Sequence, residues 1–181
     1  MKQTPTYLAI DIETTGLSPV TDHLIEIAVL VLGADLTELA HATHIVDVDP
    51  DEVIAAMSPY VRDMHTRNGL IADIRAGGGT PLAAIDQQFE GLCGAFPARP
   101  ILCGSSVHFD RRFIERDLPT LHKRLSHQHL DATTAILLAP QIRTEYSSEH
   151  RALTDIRASA AVLRSARALM GANTPATKAK R

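Results

Sequence analysis

Tryptophan is absent from the 181 residues, and aromatic side chains make up only 4% of them. An extended base-stacking platform, of the kind that tracks long single strands, has little to be built from. Cysteine is scarce as well. Cys93 and Cys103 are the only two, too few for a disulfide framework or a zinc finger, and both sit in apolar context as small buried hydrophobes would. No apolar run is long enough to span a membrane. Charges interrupt the N-terminal apolar stretch almost at once, so no signal peptide is read there and the cytoplasm is the expected location. Positive charge is not in excess either. The formal net charge of −3 argues against broad, non-specific duplex binding, but leaves room for a small anionic substrate held through metal ions.

What is present is the composition of an ordinary folded domain. Hydrophobic residues make up 45% and charged residues 22%, which excludes a disordered chain and allows a core of normal size. Residues 1–171 read as one domain, and 172–181, with Pro175, Lys178, Lys180 and Arg181, as a disordered tail. Tyr7 to Ile12, Leu24 to Leu32 and Leu39 to Val48 read as three strands joined by short turns, an antiparallel meander. Short helices follow over 51–57, 59–65 and 70–75, the second with Ser58 as cap before Pro59. Leu82, Ile85, Phe89 and Leu92 mark a helix over 81–96, with Thr80 as its cap. Pro100 to Cys103 is a strand candidate, followed by a helix from Val107 to Leu118, a weak strand over 129–132 and a helix to Leu138. The last helix begins near Arg151, with Leu153, Ile156, Ala160, Leu163, Ala166 and Met170 on one face. The expected class is α/β or α+β with a mixed sheet.

Against that background, certain acidic residues stand out. Asp11 and Glu13 end the first apolar strand, two residues apart and so on one face. Two carboxylates side by side under covering helices repel each other and are costly to bury, unless a hard divalent cation joins them. The plainer alternative is an exposed strand end with solvated acids. Asp110 opens the helix anchored by Phe109, Phe113 and Ile114, and would project beside the sheet; a first-turn acid that favours the helix dipole is the plainer reading there. His150 and Asp155 are five residues apart, about 140° around a helix, so they do not share a helical face. His150 is therefore expected in the loop before the last helix and Asp155 in its first turns. A histidine so placed can swing over a metal site, and its pKa near neutrality suits a general base. A surface histidine and a helix-start acid are each common. Taken together, four carboxylates and one histidine at a strand end, a helix start and the final helix match a two-metal phosphodiester hydrolase.

The three segments Asp11-Ile-Glu13-Thr-Thr-Gly16-Leu17, Phe109-Asp110-Arg-Arg-Phe113 and His150-Arg-Ala-Leu-Thr-Asp155 resemble the DEDDh family of 3′→5′ exonucleases in order and spacing. Within that family the pattern is most like that of oligoribonucleases, through Leu24-Ile-Glu-Ile-Ala28, the stretch Val61 to Leu70, and Cys103-Gly104-Ser-Ser106. The resemblance implies an RNase H-like fold, a mixed β-sheet flanked by helices. It implies Asp11, Glu13, Asp110 and Asp155 as ligands of two divalent ions, Mg²⁺ or Mn²⁺, and His150 as the base. It implies release of 5′-mononucleotides from the 3′ ends of short single-stranded RNA, or of DNA, by a homodimer. Leu17 and Tyr60 would contact the terminal bases, with Ser106 and His65 near the substrate. Tyr60 stands where the family usually has tryptophan. His127-Gln128-His129 replaces the family's Tyr-Arg-Tyr, and Gln128 lacks the charged fork that arginine offers a phosphate. Two other functions share these residues: a proofreading-type DNA exonuclease, suggested by His108-Phe109, and a catalytically silent nucleic-acid-binding module.

Overall fold

Alternation along the first strand sets the architecture. The computed structural model describes residues 5–142 and 149–172. In it β1 (Pro5–Thr14) sends Leu8, Ile10 and Ile12 to one face of a sheet and Ala9 to the other. β2 (Leu24–Gly33) and β3 (Glu38–Ile45) continue as the expected antiparallel meander, and β4 (Ile101–Gly104) and β5 (His129–Asp131) add parallel strands. The sheet has five strands in the order β3-β2-β1-β4-β5. It is the mixed sheet flanked by helices that the sequence implied. All ten residues of β2 are buried, as a near-continuous apolar run covered on both faces requires.

Three helices lie near one end of the sheet: α1 (Pro50–Ala56), α2 (Pro59–Arg67) and α3 (Leu70–Ala76). Val53, Met57, Leu70, Ile71 and Ile74 pack there around Ile25. One face of the sheet is covered by α4 (Leu82–Leu92), α5 (Val107–Asp117) and α6 (Pro119–Arg124), through Ile85, Phe89, Phe113, Ile114 and Leu121. Burial of each such large side chain contributes about 1.5–3 kcal/mol. The other face takes α7 (Ala132–Leu138) and the long α8 (Ala152–Ala172), through Ala132, Ile156, Ala160 and Leu163. Gly104 lets β4 approach closely, since a Cβ there would lie 2.8 Å from the Ile10 carbonyl oxygen.

Several sequence expectations shift. Helix α6 was not foreseen; its first amides, Thr120 and Leu121, donate to the Asp86 carboxylate of α4 at 3.0 and 2.8 Å. Thr80 does not cap α4. Its amide and carbonyl pair with Ile45 and Asp47 instead, and Pro81 occupies the cap position without a side-chain bond. Met170 is exposed rather than part of the buried face of α8. The tail expected over 172–181 lies outside the described residues, apart from Ala172, which ends α8.

Candidate active site

The strand face that begins with Ala9 under α8 turns acidic as β1 leaves the core. Asp11 pairs across the sheet with Ala28, and Glu13 stands directly opposite Glu26 of β2. Strand β4 pairs with β1 only from Tyr7 to Ala9, so the last residues of β1 are free to meet the ends of α5 and α8. From α5 comes Asp110, only 4% exposed, whose carboxylate takes hydrogen bonds from its own amide and that of Ile12. From α8 comes Asp155, in the first turn. His150 precedes that helix, as the five-residue spacing led one to expect, and adopts a left-handed conformation, φ 52°. Oxygen or nitrogen atoms of Glu13, His150 and Asp155 all lie within 4.8 Å of one another.

Electrostatics within this cluster are severe. Burial pushes Glu13 up from 4.5 to about 8, reinforced by the charges of Asp155, Glu26 and Asp110. Burial likewise raises Asp110 from 3.8 to about 8, against the pull of its two amide hydrogen bonds. Asp11 is held well above the usual carboxylate range by burial and then by Asp110, Glu13 and Asp155. Carboxylates crowded this way need a cation. Arg151 pulls Glu13 down only in part, because it pairs directly with Glu26 at 2.9 Å and Asp73 at 2.9 Å. An all-carboxylate set with one imidazole suits a hard divalent ion such as Mg²⁺ or Mn²⁺.

These groups border a cleft of about 670 Å³ whose walls include Asp11, Glu13, His150 and Asp155, together with Leu17 and Tyr60. Leu17 is 80% and Tyr60 71% exposed at this rim, which suits side chains that lie against a flat ligand. Phe109 lines the cleft too, tilted on Phe113 with centroids 5.2 Å apart. The loop carrying Leu17 is fixed by Asp22, which accepts from the Ser18 amide at 2.7 Å, and by Thr14, whose hydroxyl donates to the Gly16 carbonyl at 2.7 Å.

The remaining sequence candidates sit elsewhere. His65 is fully buried, with Nε2 3.2 Å from the Thr14 carbonyl and 3.9 Å from Glu13 Oε2; burial lowers its pKa. It supports the end of β1 from behind rather than lining the cleft. Ser106 also lies outside the cleft lining; its hydroxyl is 3.2 Å from that of Thr133. The amide of Val107 is capped instead by Asp131, at 2.9 Å, which also caps α7 through Thr134. Cys93 and Cys103 are buried free thiols, raised to about 11 and about 12 by burial. Sequence reasoning gave no role to Glu26, Arg151 and Asn68, whose contacts surround His150. A charged residue inside the apolar run Leu24 to Leu32 was the available signal for Glu26.

A mixed sheet that closes on four carboxylates, Glu13 and Asp110 buried and Asp11 and Asp155 half-buried, and on a histidine defines a class of phosphodiester-cleaving domains, and sequence comparison agrees. The exonuclease family (RNase_T) matches residues 8–163, and the chain belongs to that family. Its relatives include the oligoribonuclease of Streptomyces coelicolor, 39% identical over 86% of this chain and 82% of that protein. The oligoribonuclease of Coxiella burnetii is 36% identical over 88% of this chain and 91% of that protein. In fold, the chain is similar to E. coli exonuclease I solved in complex with a 5cy-dT13 oligonucleotide, with TM-score 0.69 and 16% identity over 94% of this chain. Exonuclease I of Methylocaldum szegediense gives TM-score 0.62 and 17% identity over 90% of this chain. The chain spans about 42% and 40% of those two longer proteins.

Proposed function

We infer that the protein is a 3′→5′ exoribonuclease that hydrolyses short oligoribonucleotides to 5′-mononucleotides with the help of two divalent metal ions. The observation that carries this is the gathering of Asp11, Glu13, Asp155 and His150 at one cleft, with the buried Asp110 close enough to act on Asp11 and Glu13, and with Leu17 and Tyr60 exposed at its rim. In this reading the four carboxylates hold Mg²⁺ or Mn²⁺. Bound there, the ions would offset the charge that builds on the phosphate and leaving oxygens. Leu17 and Tyr60 hold the terminal bases so that the last phosphodiester lies over the carboxylates. His150 accepts the proton of the attacking water. The water oxygen bonds to phosphorus, the bond from phosphorus to the 3′ oxygen breaks, and that oxygen gains a proton from solvent. The products are a nucleoside 5′-monophosphate and a shortened chain with a free 3′-hydroxyl.

A homodimer belongs to the same reading. Exposed Leu138 and Met170 border an apolar groove of about 640 Å³ between α7 and α8, a surface that a second copy would cover. Among the described residues no helix is long and apolar enough to cross a membrane.

The deciding test is a time course on end-labelled RNA dinucleotide, longer RNA and matched DNA, in Mg²⁺ and in Mn²⁺, with Glu13→Ala as control. Rapid release of mononucleotides from the RNA dinucleotide supports the reading. Preference for long DNA would reassign it to a DNA exonuclease. Binding without cleavage in either metal would make it a silent binding module.

A further inference from the structure

The residues around His150 are tied down more thoroughly than its place before a helix requires. Arg151 reaches back to the sheet: Nη2 is 2.9 Å and Nε 3.2 Å from Glu26 Oε1, and Nε is 3.3 Å from Oε2. The same Nη2 meets Asp73 Oδ2 at 2.9 Å, and Nη1 donates to the Asn68 carbonyl at 3.3 Å. Glu26, only 3% exposed, also accepts from the Ala152 amide at 3.0 Å. Asn68 closes the ring from the other side. Its Nδ2 donates to the carbonyls of Glu149, at 3.4 Å, and His150, and its Oδ1 accepts from the Leu70 amide at 3.0 Å. Finally, the Glu149 amide donates to Asp155 Oδ1 at 3.1 Å.

We propose that Arg151, seated on Glu26 and Asp73 and joined to Asn68, is a positioning residue that holds His150 in its left-handed conformation over the carboxylate cluster. An ion pair with a partly exposed arginine adds little to stability by itself. This set is distinguished by where its hydrogen bonds fall: on Glu149, His150 and Ala152, the backbone immediately around the histidine. A non-glycine residue at positive φ persists only where its surroundings over-determine it. Here four elements do so: β2, the end of α2, α3 and the start of α8. Planar, forked guanidinium geometry is needed to meet Glu26, Asp73 and the Asn68 carbonyl at once. An imidazole displaced by about 1 Å loses much of its use as a base, on the order of 10²-fold in rate.

The proposal rests on the reading of His150 as the base, and a double-mutant cycle separates the two. Steady-state kinetics on RNA dinucleotide at saturating metal are measured for the wild type, Arg151→Ala, His150→Ala and the double variant, with thermal melts to confirm folding. Arg151→Ala should lower kcat by about 10- to 100-fold and leave KM within about threefold. In the His150→Ala background it should cost about twofold or less, because a residue acting through His150 has nothing left to position. A wild-type kcat in Arg151→Ala, a loss confined to KM, or an equal loss in both backgrounds would overturn the proposal. Full activity in His150→Ala would overturn the reading beneath it instead. Asn68→Ala, which leaves the pair with Glu26 in place, is run through the same cycle. It should show the same non-additivity, and decides the matter if Arg151→Ala does not fold.

Discussion

Glu13 and Glu26 face each other across β1 and β2, and only Glu26 has a guanidinium beside it at hydrogen-bond distance. The two carboxylates are chemically the same and differ in what neutralises them. Glu26 is satisfied by Arg151 and the Ala152 amide and belongs to the scaffold. Glu13, raised to about 8, has no such partner among the described residues and is one of the proposed metal ligands. Replacement of Glu13 by Ala should therefore weaken divalent-ion binding and reduce turnover by about 10²–10³-fold or more, the scale for loss of one group that stabilises transition-state charge. Calorimetric titration with Mn²⁺ alongside kcat checks both, and retention of near-normal activity would remove Glu13 from the ligand set.

His150→Ala should lower kcat by about 10²–10⁴-fold while Mn²⁺ and dinucleotide affinities stay close to wild type. A variant that loses metal affinity as steeply as rate would show that the imidazole is a ligand rather than the base.

The carboxylate cluster also sets a pH dependence for the metal-free protein. Glu13 and Asp110 bind protons in the folded state up to about 8, whereas unfolded carboxylates release them near 4. Between those limits the folded state holds more protons, so stability falls as pH rises. Their contribution is fully present below the unfolded values and is lost as pH rises through about 8. His65, with a lowered pKa, acts in the opposite sense below its ordinary value, so the clean measure is a difference. The gain in Tm of Glu13→Gln over wild type, both without metal, should grow from pH 5 to pH 8. Added Mn²⁺ should stabilise wild type more at pH 8 than at pH 5. A difference that is flat across this window contradicts the assignment of a buried Glu13 with a raised pKa.

Tyr60→Ala removes a rim surface 71% exposed beside the cleft. Stacking of a base on an aromatic ring is worth about 1–3 kcal/mol, so KM for a dinucleotide should rise roughly tenfold or more with Tm unchanged. An unaltered KM would place the terminal base elsewhere.

Asp86→Ala tests a structural contact instead. It removes the acceptor of the first amides of α6, at a cost of about 1–2 kcal/mol for a lost cap and a fall of several degrees in Tm. Activity at low temperature should be retained.

How much of this was legible in the sequence follows from the range of the forces involved. The strands of the meander were readable because short apolar, β-branched runs between turns are a local signal, and so was the loop position of His150, which follows from helical periodicity alone. Asp11 and Glu13 were legible as acids ending an apolar strand, whereas Asp110 and Asp155, each unremarkable as a helix-start acid, became candidates only through the order and spacing of the three segments. Helix α6 was not, because its cap comes from Asp86, far away in the chain. Thr80 misled because a residue that resembles a cap was recruited into pairing with Ile45 and Asp47. The burial of His65 behind β1 and the contact of Ser106 with Thr133 likewise depend on tertiary packing that no local pattern encodes.

The left-handed backbone at His150 has an evolutionary corollary. Glycine adopts such a φ without steric penalty, so His150→Gly relieves backbone strain while deleting the imidazole. Selection for folding alone would favour glycine at this position, and with His150 as the proposed base, selection for hydrolysis would keep histidine. Sequences of this lineage that have ceased to cleave nucleic acid should drift first here, gaining thermal resistance as they lose the reaction.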